Sequence, residues 1–447
     1  MALSFFAIEA MPRLRRAVEQ IIDMSGAKRI LDGSQPFELA RAAEIQRTEL
    51  AANVTNSPTR KIRTHVPKVS DGISVHVWTP EGFLQAGTLE MDEDGWRKIA
   101  AFFEYDREYL ARANSGAYPL DPINMRLTRT TYATREHHVV LGAIFDAAPD
   151  AWGRKVIKAR QLETLGEVDE ALVEMLAGSW TIGGARPKAI LRDDSPGAAP
   201  GRSLIAKFPS YALPEGSAVE WACLSMARDI GLEVPHHTLR RVGGEQTLLL
   251  DRFDRGPGGA RRHYLSAMSL VSAMPQSRFL DSASDKAIFS WSNLLHVTSQ
   301  VAARPAEARV QMFARLALNA ALGNSDDHLK NYGFLKCSDD PFHYEVAPVF
   351  DITPQRSASH YLHCGEFGRN YTLVDVMSNP RSFGVSAAAA SVVEESIRDV
   401  LSRRDAYFSA AGLSDVAHRE ADGIIRRGLG QPLQTKVSNV PIERQRG

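Results

Sequence analysis

The sequence predicts an α+β protein with two unequal lobes, because strand-like segments come first and a mostly helical half follows. Residues 72 to 80, GISVHVWTP, alternate apolar and polar side chains, as a half-buried strand does. Further along, the strand-like SLIAKF precedes a segment with helical spacing, and the strand-like TLLLDRF follows it. From about Ser266 the pattern is mainly helical. Strands, a helix, another strand and then a helical half are typical of an α+β plan.

Length, charge and cysteine content limit the classes of protein that this chain can belong to. Its 447 residues include 53 basic and 53 acidic ones, so a surface that is positively charged throughout and binds nucleic acid or membranes is not expected. The three cysteines are far apart, as free thiols in a reducing compartment are. The start, MALSFFAIEAM, is a poor signal peptide, and no run reaches the roughly 18 apolar residues of a membrane span. The sequence therefore predicts a cytoplasmic protein with no membrane partner.

Residues 1 to 70 are predicted to form a helical extension. Within it, PFELARAAEIQRTELAANVT resembles a helix-turn-helix, although Glu44 stands at the turn position and Asn53 at an apolar one. Residues 1 to 66 include ten Lys or Arg and seven Asp or Glu, and this surplus of positive charge is compatible with phosphate contact. Two interpretations stay open here: a helical hairpin that packs on the remainder or holds a partner, and a DNA-binding unit over residues 35 to 63.

Four further segments follow the extension. Residues 71 to 175 form a subdomain that begins with the strand at Gly72, and the pattern predicts helices over residues 94 to 113 and again after Pro149. Residues 176 to 265 form a small lobe with two strands around a helix that a glycine ends at Gly231. Residues 266 to 430 form the mostly helical lobe, and residues 431 to 447 are a polar tail.

The most informative segment is GNSDDHLKNYGFL, residues 323 to 335, where charged side chains follow an apolar helix. The strand-like YGFLK and HYEVAPVF flank the turn CSDDPF, and a hairpin of these two strands would bring Asn331 beside Asp351. With Asp326 nearby, such a set of oxygens suits Mg²⁺ at an ATP site. The spacing D-x-x-x-x-N with a later Asp also matches the catalytic loop of protein kinases. The alternative is a solvated turn after a buried helix.

A phosphate cradle and a cation are predicted upstream. Gly183 and Gly184, in TIGGARPKA, allow backbone N–H groups to approach phosphate. Lys207 lies inside the apolar strand LIAKFP and is expected to point at an anion, with Glu220 of the next helix as its counter-ion. Each signal alone also fits an ordinary feature: a turn, a lysine at a strand edge and an exposed helix face.

The end of the strand LLLDRFDR is a candidate for binding adenine through its backbone. Asp251, Arg252 and Phe253 are the residues concerned, and an ordinary strand end is the alternative. For His328, two roles stay open: contact with phosphate, or hydrogen bonds that fix the loop.

The order of these motifs resembles the HipA family of bacterial toxin serine/threonine kinases. It runs TIGGARPKA, LIAKFPS, VEWACLSMARDIGLEVP, LLLDRFDR, NAALGNSDDHLKNYGFL and APVFDITP, preceded by YPLDPINMRLT and FDAAPDAWGR. The resemblance spans about residues 72 to 425, and it implies a bilobal protein-kinase-like fold.

The resemblance implies a role for each matching residue. Asp326 would be the catalytic aspartate, Asn331 and Asp351 would ligate the metal, and Lys207 would bind ATP phosphate. The further ATP-binding residues implied by the resemblance or by the pattern are Ile182, Gly183, Gly184, Ala185, Arg186, Lys188, Glu220, Asp251, Arg252, Phe253, His328 and Asn331.

The resemblance also implies regulation and partners. Family members phosphorylate a serine just before the glycines of the phosphate loop and so inactivate themselves. Here Thr181 stands at that position and Ser179 two residues earlier, a departure that bears on the efficiency of this reaction. ATP and Mg²⁺ are the implied cofactors. The implied partners are a protein substrate such as an aminoacyl-tRNA synthetase and a HipB-like antitoxin, and a homodimer is left open. The competing hypotheses are a DNA-binding regulator with a weakly active kinase fold and a small-molecule kinase.

Overall fold

The computed structural model describes residues 72–94, 98–113, 115–134, 141–147, 186–193, 197–210, 213–242, 244–271, 283–338, 340 and 342–431. Several predicted features lie outside the described residues: the helix-turn-helix, the helix expected after Pro149, residues 432 to 447 of the tail, and Ser179, Thr181, Ile182, Gly183, Gly184 and Ala185 of the phosphate loop. Within the described part, no helix combines the length and the apolar character needed to cross a membrane.

An N-terminal antiparallel sheet opens the described chain, with its strands in the order β1-β2-β3-β4. The strands are β1 (Ile73–Thr79), β2 (Gly82–Asp94), β3 (Lys98–Tyr105) and β4 (Tyr132–Ala133). Two short helices belong to the same part of the chain: α1 (Arg107–Ala111) lies between β3 and β4, and α2 (Gly142–Phe145) comes after β4. The strand predicted at Gly72 is confirmed. The helix predicted over residues 94 to 113 is wrong for most of its length, because KIAAFFEY pairs with β2 on one side and β4 on the other.

The second sheet belongs to the small lobe and has the order β5-β6-β8-β7. Its elements are β5 (Lys188–Arg192), β6 (Ser203–Lys207), the helix α3 (Gly216–Asp229), β7 (His237–Val242) and β8 (Glu245–Asp251). Helix α3 buries a run of small and apolar side chains against this sheet. It ends where predicted, at Gly231, whose φ of +99° few other residues adopt.

The third sheet has the order β11-β10-β9. Its strands are β9 (Tyr264–Ser266), β10 (Gly333–Lys336) and β11 (Tyr344–Val346). The helices are α4 (Ala267–Leu270), α5 (Ala283–Ile288), α6 (Trp291–Val301), α7 (Pro305–Leu322), α8 (Leu373–Ser378), α9 (Ala387–Ser402), α10 (Arg404–Ala410) and α11 (Asp415–Gly428). Together these elements match the predicted α+β plan of strands followed by a mostly helical lobe.

Helix α7 is the central element of the helical lobe, and its buried side chains contact α6, α8, α9 and α11. It ends at Gly323, whose φ is +66°. A Cβ at this position would lie 2.6 Å from Ile424 Cγ2, so both the backbone conformation and the space require glycine. The chain therefore turns sharply here into the segment from Asn324 to Asn331, most of which is buried while Asp326 is exposed.

The N-terminal subdomain contacts the helical lobe through partly buried polar groups. The Asp146 carboxylate accepts hydrogen bonds from Ser266 N at 2.7 Å and from Ser269 Oγ at 2.6 Å. Asn124 Nδ2 donates to the Leu270 carbonyl at 2.8 Å, and Lys330 Nζ lies 4.0 Å above the Phe145 ring. These contacts join Phe145, Asp146 and the segment YPLDPINMRLT to α4 and to the loop that follows α7.

Candidate active site

The predicted hairpin is confirmed, and it builds one wall of the candidate site. Strands β10 and β11 pair antiparallel, with Phe334 opposite Val346. The hairpin holds the residues before β10 and those after β11 at its open end, where Asn331, Phe350 and Ile352 line the same small cavity. Asp326 and Asp351 are close enough there for the charge of Asp351 to raise the pKa of Asp326.

The two adjacent aspartates of the loop have different environments. The Asp327 side chain is fully buried and accepts hydrogen bonds from Tyr361 N at 2.7 Å and from Tyr371 Oη at 2.9 Å. The Asp326 side chain is 58% exposed at the mouth of the site. Surrounding protein atoms and, secondly, the Asp351 charge raise the pKa of Asp326 to about 7. Asp327 therefore anchors the loop, and Asp326 is the carboxylate that a bound reactant can reach.

Replacing Asp327 by Asn is expected to lower the free energy of unfolding by about 2–4 kcal/mol, because an amide cannot accept all of these buried hydrogen bonds. Denaturant unfolding at pH 8 measures this loss.

Replacing Asp326 by Asn is the matched control, and the expected change has the opposite sign. The pKa of the Asp326 carboxyl is raised from 3.8 to about 7 in the folded state, so its ionisation lowers the stability of the protein as pH rises through this range. Above pH 7 the variant should therefore gain roughly 1 kcal/mol after discounting for solvent screening. Equal losses in both variants would contradict this division of roles.

The Asn331 side chain is held by a hydrogen bond to the backbone of the preceding loop. Its Nδ2 donates to the Asp326 backbone carbonyl at 2.9 Å. The amide nitrogen is thus engaged within the protein, and the amide oxygen is the atom that can serve as a ligand.

Lys207 connects the two lobes at the centre of the site. Its Nζ donates to Glu220 Oε1 at 2.6 Å and to Asp351 Oδ1 at 2.7 Å. Burial alone would lower the pKa of this lysine, but Asp351 and Glu220 outweigh burial and raise it. Burial likewise would raise the pKa of Asp351, but Lys207 and Lys188 hold it below its usual range. The strand lysine thus has the helix glutamate as its counter-ion, as its position in the sequence predicts.

Asp351 has an unusual backbone, since among the described residues it is the non-glycine residue with a positive φ, +59°. Aspartate tolerates this left-handed conformation better than most residues, at a cost of about 1–3 kcal/mol. Such strain is often kept where it directs a functional side chain, and here the carboxylate faces Lys207.

Arg186, which the resemblance implies to be an ATP-binding residue, contacts the helix of the small lobe. Its Nη1 donates to Glu220 Oε2 at 2.7 Å, and its Nη2 donates to Ser217 Oγ at 2.8 Å. The guanidinium therefore joins the end of the GARPK segment to α3. Lys188, two residues later, stands directly opposite Lys207 in the β5–β6 pair.

His328 is buried, and its Nε2 lies 4.0 Å from Asp326 Oδ1. Burial lowers its pKa to about 4, so the ring is neutral at physiological pH. Its Nδ1 has no hydrogen-bond partner among the described residues. Contact with phosphate and hydrogen bonds that fix the loop both stay predictions for His328.

The candidate adenine-binding segment is partly occupied by contacts within the protein. The N–H groups of Asp251 and Arg252 donate to the carbonyls of His236 and Ser203, at 2.9 and 2.8 Å. The Asp251 side chain pairs with Arg202 at 2.7 Å. Carbonyl groups and the backbone of Phe253 are therefore the better candidates for contacting a base.

The residues at this site fit a divalent cation that prefers oxygen. The charge of Asp351 acts on the Asp326 carboxylate, and Asn331, whose Nδ2 bonds the Asp326 carbonyl, adds an amide oxygen, so these residues supply the oxygen donors that such a cation prefers. Such an ion commonly takes one or two protein ligands and completes its shell with phosphate and water.

Comparisons with known proteins agree with this architecture. The sequence model of the family described as HipA-like C-terminal domain matches residues 180–404, half of the chain. A solved structure of Shewanella oneidensis HipA, in a complex with HipB and operator DNA, is 16% identical with a TM-score of 0.53. The match covers 78% of this chain and 96% of that one. At this identity the match shows a shared fold, which is the α+β, bilobal kinase-like fold.

Two other matches are less extensive. A curated Sinorhizobium fredii protein named "Putative kinase Y4mE" is 24% identical over 152 residues, which is 33% of this chain and 34% of that protein. The chain thus spans about a third of the length of this relative. A structure of the Helicobacter pylori proinflammatory kinase CtkA is 17% identical over 48% of this chain and 92% of its own, with a TM-score of 0.31, too low to bear on the fold.

Proposed function

Because the chain belongs to the HipA-like C-terminal domain family, we propose that it is an ATP- and Mg²⁺-dependent serine/threonine protein kinase of a HipA-type toxin–antitoxin system. The observation that carries the proposal is the ion-pair chain from Glu220 through Lys207 to Asp351 beside Asp326. Lysine paired with a helix glutamate, and a loop aspartate five residues before an asparagine, are the parts that phosphoryl transfer requires.

Each residue has a distinct task in this proposal. Lys207 leaves Asp351 and binds ATP phosphate, while Glu220 keeps its ammonium group in place. Asp351 and the Asn331 amide oxygen would hold Mg²⁺, which supplies charge neutralisation of the phosphates. Asp326 orients the acceptor hydroxyl and takes its proton as the hydroxyl oxygen bonds to the γ-phosphorus and ADP departs.

The proposed substrate is a protein such as an aminoacyl-tRNA synthetase in the cytoplasm, whose modification would inhibit translation. The test is incubation of the purified chain with isotopically labelled ATP and Mg²⁺ in a lysate, followed by mass spectrometry. Label on a serine or threonine of a protein supports the proposal. Label only on small molecules favours the small-molecule kinase, and no transfer at all favours the DNA-binding regulator.

A HipB-like antitoxin and operator DNA are the proposed partners, because the Shewanella oneidensis structure contains HipA, HipB and operator DNA. The same proposal includes DNA contact through residues 35 to 63 and a homodimer. It also includes the division of the chain into five segments, with boundaries at residues 70, 175, 265 and 430. Gel-shift assays with and without residues 1 to 70 test the DNA contact.

The rate of transfer is expected to fall as pH decreases below about 7, because Asp326 must be ionised to accept a proton and its pKa is about 7. Below this pKa the carboxyl is protonated, so kcat/KM should drop about tenfold per pH unit. A pH profile of kcat/KM from pH 5 to 9 measures this. A profile that is flat from pH 5 upward would contradict proton acceptance by Asp326.

Thr181, together with Ser179, is expected to be phosphorylated by the protein itself. A phosphate would add close to two negative charges beside the loop proposed to cover the ATP phosphates, so the affinity for ATP should fall. Peptide mapping after incubation with ATP should find this phosphate in the unaltered chain. The Asp326→Asn variant and a Thr181→Ala, Ser179→Ala double variant should lack it. No phosphate in the unaltered chain would refute self-inactivation by this route.

A further inference from the structure

Arg186, just before β5 in the small lobe, donates hydrogen bonds from all three of its guanidinium nitrogens. Its Nη1 donates to Glu220 Oε2 at 2.7 Å, its Nη2 donates to Ser217 Oγ at 2.8 Å, and its Nε donates to the Phe208 carbonyl at 3.3 Å. The Arg186 side chain is 15% exposed, and that of Glu220 is fully buried. A planar guanidinium can bind several acceptors at fixed angles, which an ammonium group cannot do.

Each of these three acceptors is bonded to Lys207 or adjacent to it. The Glu220 carboxylate is shared, since its Oε1 accepts from Lys207 Nζ at 2.6 Å while its Oε2 accepts from Arg186. The Ser217 hydroxyl donates to the Lys207 backbone carbonyl at 3.0 Å. Phe208 is the next residue in the chain. Arg186 is thus connected to both the side chain and the backbone of the lysine that is proposed to bind ATP phosphate.

The shared carboxylate of Glu220 is held at both of its oxygens. Ser217 and Glu220 lie three residues apart on α3, so they face the same side of the helix and one guanidinium reaches both. A glutamate side chain has several rotatable bonds, and a carboxylate with a single partner can rotate together with that partner. With Arg186 on one oxygen and Lys207 on the other, the orientation of this carboxylate is fixed.

The orientation of Glu220 matters most when nucleotide is bound. Lys207 Nζ contacts two carboxylates, those of Glu220 and Asp351. In the proposed function it leaves Asp351 for the ATP phosphates, and of this pair Glu220 then remains to orient the ammonium group. A carboxylate that is free to rotate would let the ammonium group move with it, and the contact with phosphate would weaken.

We propose that Arg186 is a positioning residue for phosphoryl transfer: it holds the Glu220 carboxylate in the orientation in which Lys207 meets the ATP phosphates. This role rests on the proposed function and adds a residue to it. Arg186 acts through Glu220 and does not itself contact ATP. The alternative is direct contact with a phosphate, and the two roles differ in what happens when Arg186 and Glu220 are both changed.

The test is a double-mutant cycle of Arg186→Met and Glu220→Gln, with the ATP affinity measured by calorimetry in the presence of Mg²⁺. Arg186→Met alone should weaken ATP binding about tenfold, as loss of a charge-assisted bond in a buried network does. Beside Glu220→Gln, the same substitution should weaken it by less than about threefold, because no carboxylate is left to orient. An equal factor in both backgrounds would overturn the proposal, since Arg186 would then act on ATP independently of Glu220.

Two further variants complete the design. Arg240→Met changes an exposed arginine of β7 in the same sheet and should keep the affinity of the unaltered chain. Arg186→Lys keeps the positive charge and serves if Arg186→Met fails to fold. A lysine cannot bridge Ser217 and Glu220 as the guanidinium does, so this variant should still bind ATP at least about threefold more weakly. Full ATP affinity of Arg186→Lys would overturn the proposal.

Calorimetry also separates a positioning role from a loss of folded protein. Partial unfolding would lower the number of binding sites per chain, whereas misplacement of Lys207 lowers the affinity of each site. If the unaltered chain does not bind ATP, the proposed function and the role of Arg186 are both overturned. If it binds ATP and the cycle gives equal factors, only the role of Arg186 is overturned.

Discussion

Replacing Asp326 by Asn is expected to reduce phosphoryl transfer by about 10²–10⁴-fold while the protein stays folded. The amide has almost the same shape, so ATP binding should change little. It cannot take the proton of the acceptor hydroxyl, so the loss should appear in kcat. Because Asp326 is exposed at the mouth of the site and Asp327 is the buried anchor, the substitution removes no buried hydrogen bond.

Steady-state transfer to a protein substrate and calorimetric ATP binding, measured side by side, separate these effects. Asp327→Asn is unsuitable as a catalytic control because it is expected to lower the stability of the folded protein. An Asp326→Asn variant that retains a tenth of the original turnover would exclude Asp326 as the proton acceptor.

Replacing Asp351 by Asn is expected to weaken ATP binding in the presence of Mg²⁺ by at least about 100-fold, with a smaller loss in its absence. The ion would lose a charged ligand, and Lys207 would lose one of its two buried partners. Asparagine is preferred to alanine here because it tolerates the φ of +59° at this position.

Calorimetry with ATP, with and without Mg²⁺, gives the two affinities. Glu220→Gln serves as the matched control, since it removes the other carboxylate that contacts Lys207 but is not a proposed metal ligand. It should weaken binding about equally in both conditions. If Asp351→Asn also gave equal losses, Asp351 would support the structure and not the ion.

The sequence predicted those parts of the site that depend on local pattern. The hairpin could be expected because two short strands flank a turn, and the Lys207–Glu220 pair because a lysine inside an apolar strand needs an anion. In contrast, the pairing of β9 with β10 joins strands that are far apart in the sequence, since β9 begins at Tyr264 and β10 begins 69 residues later at Gly333. Such a pairing leaves no local signal.

Other features were missed because they depend on distant contacts. The doublet Asp326–Asp327 does not say which carboxylate is buried, and the partners of Asp327 lie more than 30 residues further on. The ion pair of Arg186 also depends on a distant contact, since its partner Glu220 is 34 residues further along the chain. The strand KIAAFFEY is apolar over most of its length, and periodicity alone does not distinguish such a strand from a buried helix.

If Lys207 binds nucleotide and Asp351 binds metal as proposed, the contact between them would link the two binding events thermodynamically. With both bonds in place, each buried charge already has a partner of opposite sign. A nucleotide that arrives alone would draw Lys207 away and leave Asp351 uncompensated, and a metal ion that arrives alone would leave the lysine with Glu220 only. The two arriving together exchange one set of ion pairs for another. We therefore expect each to raise the affinity for the other by the same factor, as linkage requires.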